Sequence, residues 1–197
     1  HLPHHLSLPL HPLPSRTEAR RALGLKDDAL VVTAPGLATA SKRLDVALRV
    51  IARLGARFPS LCFVIAGAVE RGLPLDQWAR AAAVGGALIV TGRLSLEDFV
   101  RHIVASDVVL ALRFPSHGEM SGALVRSLGV GRPCLVTAGT PAALDFPEGI
   151  LVPVDPGRAE EAELQAFLAR LLEDASLREM LGRLAREHAR AFHDLDK

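Results

Sequence analysis

From Leu30 onward the chain alternates, without a break, between short apolar runs rich in β-branched residues and longer stretches whose apolar residues recur at helical spacing. This alternation restricts the fold more than any other feature. A strand that is apolar on both faces must be covered on both faces, and parallel strands need helical crossovers between them. The runs are LVVTA (30–34), LCFVIAG (61–67), ALIVTG (87–92), VVLAL (108–112), PCLVT (133–137) and ILVPV (150–154). Between them the spacing predicts helices over 42–57, with Leu44, Ala47, Leu48, Ile51 and Leu54 on one face, over 74–84, and after Ser95, with Phe99, Ile103 and Val104 inward. Further helices are predicted over 120–129, 158–173 and 176–192. The whole reads as an α/β domain built on a doubly wound, six-stranded parallel sheet of Rossmann-like type.

Ahead of the first strand, Ser15 with Glu18 three residues later forms a capping-box pattern, and Gly24 supplies the stop for that helix. Residues 1–14 carry four prolines and four histidines without a period and read as an extended linker, so the domain is expected to occupy 15–197. The segment has no basic start and no long apolar stretch, unlike a secretory signal, and no initiator Met. The chain is therefore expected to be a piece cut from a longer polypeptide.

Composition narrows the function classes. A hydrophobic content of 49% supports a real core, while a net charge of +1 gives no overall argument for nucleic acid or an acidic membrane surface. Anion binding must then come from local placement of charge. Cys62 and Cys134 both lie inside apolar runs, which suits buried thiols in a reducing compartment and excludes a disulfide scaffold. No stretch reaches the roughly 18 apolar residues that would span a bilayer; the longest candidate, IVASDVVLAL (103–112), is interrupted by Asp107.

In a doubly wound sheet of order 3-2-1-4-5-6, ligands bind beyond the carboxyl ends of the first and fourth strands, where strand order reverses. The loop after the first strand is PGLATASKRLD (35–45). Gly36 allows a tight turn, Thr39 and Ser41 offer hydroxyls, and Lys42 and Arg43 are expected to open the next helix. Cations there oppose the helix dipole unless an anion is bound. The loop after the fourth strand is RFPSHGEMSGALVR (113–126), in which Gly118 and Gly122 flank Glu119 and Ser121 caps the following helix. AGTPA (138–142), after the fifth strand, offers a third set of amides. Residue by residue, Lys42 and Arg43 also read as a solvated basic pair, Glu119 as a solvated acid and Arg126 as a plain surface residue. No GxGxxG follows the first strand, and no GxxxxGK[ST], HExxH, paired CxxC or GxSxG occurs. Dinucleotide, P-loop, zinc-protease and serine-hydrolase readings are thereby weakened or removed.

The ordered set G-x(5)-KRLD from Gly36, FVIAG (63–67), TGRLS (91–95), SHGEMSGAL (116–124) and GVGRP (129–133) resembles the C-terminal domain of family 4 retaining glycosyltransferases of the GT-B fold, over roughly residues 30–175. The resemblance implies a nucleotide-sugar donor, UDP- or GDP-linked, bound as substrate, with no cofactor and no metal, and an N-terminal acceptor domain elsewhere in the same polypeptide. It implies that Lys42 holds the diphosphate and that Glu119 contacts the donor sugar, the two forming the catalytic pair. It also places Gly36, Arg43, Ser121, Gly122 and Ala123 at the donor phosphates, and Gly92, Arg93 and Arg126 near the base and ribose. The implied role is transfer to a saccharide or lipid-linked acceptor in bacterial polysaccharide assembly. The implied place is the cytoplasm, with peripheral association at the inner face of the membrane as an option for the full-length protein; no nucleic-acid partner is expected. Two departures stand out: Leu37 occupies the place of a phosphate-binding arginine, and Arg126 or Ser127 that of a second glutamate. These departures motivate a non-catalytic module with a degraded donor site as the first alternative. A sugar-nucleotide epimerase of the same architecture is a second, and an NAD-dependent oxidoreductase fits the sheet but not the loops.

Overall fold

A computed structural model describes Leu8, residues 12–116, Gly118 and residues 121–193 of the chain. The expected linker over 1–14 lies largely outside the described residues; within it, Leu8 and Leu13 pack against the cluster of Ala19, Val100 and Ile103.

Six parallel strands form one sheet in the order β3-β2-β1-β4-β5-β6: β1 Leu30–Pro35, β2 Leu61–Ala66, β3 Leu88–Val90, β4 Val108–Ala111, β5 Cys134–Thr137 and β6 Val152–Val154. The order is the doubly wound one expected, with the reversal between β1 and β4. β1 and β2 are in register over their full length, from Leu30 opposite Leu61 to Pro35 opposite Ala66, and β1 pairs with β4 from Val32 opposite Val108. Both outer strands are short. Pro153 is tolerated in β6 because only one side of an edge strand has to donate to a ladder.

Helices cover both faces. On one face lie α2 Leu44–Gly55, α3 Leu75–Ala82 and α7 Glu160–Glu173, over a core that includes Val32, Ala34, Leu48, Ile51, Phe63, Ile65 and Leu168. On the other lie α1 Arg16–Ala22, α4 Leu96–Ala105, α5 Gly122–Val130 and α8 Ala175–Phe192, over Leu124, Leu128, Val136, Ile103 and Val104. The alternation of Val31 and Val32 between different clusters follows the two-residue period of a strand. α8 docks closely on α5: a Cβ on Gly182 would stand 2.3 Å from the Gly131 carbonyl oxygen, so only glycine fits this crossing. The capping box at α1 forms with both of its bonds, and a short helix not anticipated from the sequence, α6 Pro141–Leu144, follows β5.

Asp107, which interrupts an apolar run, is buried at the start of β4 and fully used. Oδ2 accepts from Arg20 Nη2 at 2.6 Å and from the Val31 amide at 2.7 Å, and Oδ1 accepts from Arg16. A buried carboxylate of this kind must be paired, and the guanidinium of Arg20, itself buried, meets that requirement. The result fastens α1 to the amino end of the sheet, leaving the carboxyl end to the loops.

Candidate functional site

At the carboxyl end, β1 and β2 continue to pair after both strands have formally ended. The Gly36 amide donates to Ala66 at 2.9 Å, Ala38 to Ala68 at 2.8 Å, and Glu70 back to Ala38 at 2.9 Å. The two backbones nearly touch: a Cβ on Gly67 would stand 2.4 Å from the Gly36 carbonyl oxygen. Gly36 itself has φ +89°, a conformation that costs a residue with a side chain and that glycine adopts readily.

The next turn differs from expectation. Lys42 and Arg43 do not open α2. Ala40–Lys42 form a 3₁₀ turn, Arg43 is left-handed at φ 54° and ψ 34°, and the helix begins at Leu44. The physical reason is a long-range ion pair. Glu160, the buried first residue of α7, accepts from Arg43 Nε at 3.0 Å and 3.1 Å and from its Nη2. This bidentate pair holds Arg43 in its unusual conformation and directs its guanidinium to α7, so Arg43 is engaged with Glu160 and is not brought together with Lys42. Lys42 is turned back against β1, where its Nζ donates to the Pro35 carbonyl. It lies 3.1 Å from the position a Gly36 Cβ would occupy, and the Ala123 methyl lies 3.9 Å from that same position. Gly36, Lys42 and Ala123 are therefore brought together.

Burial pushes the Lys42 ammonium down to about 8, with the nearby Arg113 cation adding to the effect. Of its three donors, only the one aimed at Pro35 has a partner among the described residues. Arg113 follows β4, where its amide donates to Thr137 Oγ1 at 2.9 Å, and the next amide, that of Phe114, donates to the Ser41 carbonyl at 2.7 Å. That bond joins the β4 loop to the β1 loop across the switch point.

α5 starts in the same recess. Ser121 is its N-cap and accepts from the Leu124 amide at 3.3 Å, and Gly122 and Ala123 form its first turn, whose N–H groups have no carbonyl within the helix to bond. Arg126 folds back over this turn: its Nη1 donates to the Gly122 carbonyl at 3.1 Å and would be 3.0 Å from a Gly122 Cβ. Ser127 faces the interior, donating to the Ala123 carbonyl at 2.8 Å. Of the two residues in the place of the second glutamate, Arg126 is thus the one at the recess. Glu119, with His117 and Met120, lies outside the described residues; Gly118 and Ser121 flank it.

The Gly92 turn, at φ +72°, stands one strand further out, with Arg93 exposed. It is tied inward by Thr91, whose Oγ1 accepts from the Gly67 amide at 3.0 Å. A continuous path therefore runs from Thr91 through Gly67 and Gly36 to Lys42 and Ala123. The AGTPA loop is engaged in capping α6: Thr140 Oγ1 donates to the Thr137 carbonyl at 2.7 Å and accepts from Ala143 at 3.3 Å.

Sequence reasoning did not single out Gly67, Thr91 or Arg113. Gly67 ends the FVIAG run and Arg113 directly follows β4, so both occupied legible positions at strand ends. Among the described residues no group of three or more His, Cys, Asp or Glu could hold a metal ion, and no helix is long and apolar enough to cross a membrane. Chemically, the recess combines the buried Lys42 ammonium, a helix N-terminus and glycine-opened backbone, a combination suited to phosphate groups.

Comparison with known proteins gives the family and the fold. The family model described as glycosyl transferases group 1 matches residues 15–188. D-inositol 3-phosphate glycosyltransferases of Saccharomonospora viridis and Geodermatophilus obscurus are 34% and 31% identical over 191 and 190 residues. Each alignment covers 90% of this chain but only 43% and 40% of the relative, so the chain spans about two fifths of the length of the curated relatives it matches. Among solved structures, WaaG, a glycosyltransferase involved in lipopolysaccharide biosynthesis, superposes with a TM-score of 0.78 at 18% identity over 95% of this chain and 51% of its own. The C-terminal domain of LpcC, a group 1 protein of Francisella tularensis, gives 0.77 at 16% identity, covering 93% of this chain and 95% of that domain. Anabaena HepE, solved with UDP and glucose, gives 0.78 at 17% over 91% of this chain and 48% of its own. At these identities the structural likeness establishes the fold.

Proposed function

This chain belongs to the glycosyl transferases group 1 family, with the fold of the C-terminal half of a GT-B architecture, and from that premise we propose that it binds the diphosphate sugar donor of a retaining glycosyl transfer. The observation that carries the reading is the convergence of the Lys42 ammonium, Gly36 and Ala123 at the start of α5. When the bond between the sugar's anomeric carbon and the diphosphate oxygen breaks, the electron pair leaves on the diphosphate. Lys42 and the first-turn amides at Gly122 and Ala123 stabilise that charge as it develops, in a recess where water competes poorly. Arg113 supplies a second positive charge beside Lys42, which compensates for Leu37 at the place where the family resemblance has an arginine. Glu119 orients the sugar through its hydroxyls. Gly92, Arg93 and Arg126 border the base and ribose, and Arg43 acts indirectly by setting the Lys42 turn.

On this reading the acceptor is held by another part of the full-length protein, and this chain alone transfers nothing. The names of the curated relatives make D-inositol 3-phosphate the first acceptor to offer, ahead of saccharide or lipid-linked acceptors. The test supplies the full-length protein with UDP- and GDP-linked sugars and these acceptors. A new glycoside supports the proposal, and epimerised free sugar assigns an epimerase instead. Biological activity that survives Lys42→Ala and Glu119→Ala together assigns a non-catalytic module.

A further inference from the structure

At the amino end of the sheet, opposite the Lys42 recess, a second cavity of about 600 Å³ opens between α8 and the segments that lead into β4 and β5. Six arginines line it, Arg16, Arg132, Arg178, Arg183, Arg186 and Arg190, against three acids, Asp107, Glu179 and Glu187. Asp107 is already engaged by Arg16, Arg20 and the Val31 amide.

Part of this charge has a structural use. Arg132 donates to the Val104 carbonyl at 2.7 Å, Arg178 to Leu171 and Leu172 at 2.6 Å and 2.9 Å, and Arg186 to Val130. Those carbonyls belong to the last turns of α4, α7 and α5, where cations offset the helix dipole. Helix capping leaves two features unexplained. Arg132 Nε is buried with no hydrogen-bond partner among the described residues, a state that folded proteins generally avoid. Arg183 and Arg190, two turns of α8 apart, make no hydrogen bond or ion pair among the described residues, although both line the cavity. Burial also pushes the Arg132 guanidinium down to about 10, and neighbouring Arg16, Arg186 and Arg20 oppose the single favourable charge of Asp107.

We propose that this cavity binds a phosphate-bearing anion through Arg132, Arg183 and Arg190, at a site separate from the Lys42 recess. The guanidinium fork matches phosphate geometry, and the volume is that of a small-molecule pocket. The anion is either a free phosphate compound or the phosphate of a lipid headgroup; both present the same oxygens to the same three side chains.

The test follows the Nε–H resonances of the arginines in this chain while inorganic phosphate, then pyrophosphate, is titrated at constant ionic strength. The Arg132 Nε–H signal is expected to move saturably. Arg183→Ala with Arg190→Ala, both at exposed positions that do not support the core, should weaken binding about tenfold or more. Lys42→Met should leave the midpoint unchanged. In a parallel arm the chain is sedimented with phosphatidylcholine vesicles with and without phosphatidic acid. Retention on the acidic vesicles that the double variant abolishes assigns a headgroup; phosphate binding without retention assigns a free compound. An Arg132 signal that stays still through both titrations with no retention on the acidic vesicles, or a midpoint that the double variant leaves unchanged, overturns the proposal.

Discussion

The Cβ that Gly67 lacks would fall 2.4 Å from the carbonyl oxygen of Gly36. The glycine after β2 thus sets how closely the β1 loop can lie, and through Gly36 it sets where the Lys42 ammonium comes to rest. Gly67→Ala forces the two backbones apart. The expected cost is about 1–3 kcal/mol of stability, as for other overpacked interiors, together with loss of nucleotide binding. Urea unfolding alongside a binding assay checks both, and an unchanged midpoint would refute the close approach.

Lys42 is a charge held at a cost. Its ammonium is pushed down to about 8 by burial and by Arg113. Replacement by Met, which keeps the length of the side chain, should stabilise the ligand-free chain while weakening donor binding. Partial solvent contact reduces what a shift of this size contributes, to about 1–2 kcal/mol. Thermal unfolding without ligand is the check; a variant less stable than its parent would show that the ammonium is a structural group.

The same shift fixes a pH dependence. Below about 8 Lys42 is charged in both folded and unfolded chains, and the full cost is present. Between about 8 and the ordinary lysine value of 10.5 the unfolded chain binds more protons, so stability rises with pH across that window. Donor affinity should move the opposite way, falling as pH passes about 8 and the ammonium loses its charge. Urea midpoints at pH 7 and pH 9.5 compare parent with Lys42→Met: the parent should gain on the variant.

At the other end of the sheet, Asp107→Asn leaves Arg20 buried without its counter-charge. The expected loss is about 3–5 kcal/mol, read by chemical denaturation, and nucleotide affinity of the folded fraction should not change.

Much of this was legible in the sequence. The six apolar runs, their parallel order and the Ser15, Ser95 and Ser121 caps follow from local pattern, because strand burial and helix capping depend on residues close in the chain. The Thr140–Pro141 pair that starts α6 carried a readable signal that went unused. The left-handed Arg43 did not, because its partner Glu160 lies 117 residues away and only the folded molecule brings them together. Arg113 escaped for a similar reason: its significance comes from the Phe114–Ser41 bond that joins two distant loops.

The measurement that bears most directly on the central claim is a calorimetric titration of UDP and GDP into this chain and into its Lys42→Met variant. The account predicts saturable binding of one nucleotide by the parent, weakened about 10- to 100-fold in the variant, as expected for loss of a charge-assisted bond to phosphate. A folded parent that binds neither nucleotide, or a variant that binds as tightly as the parent, would contradict it.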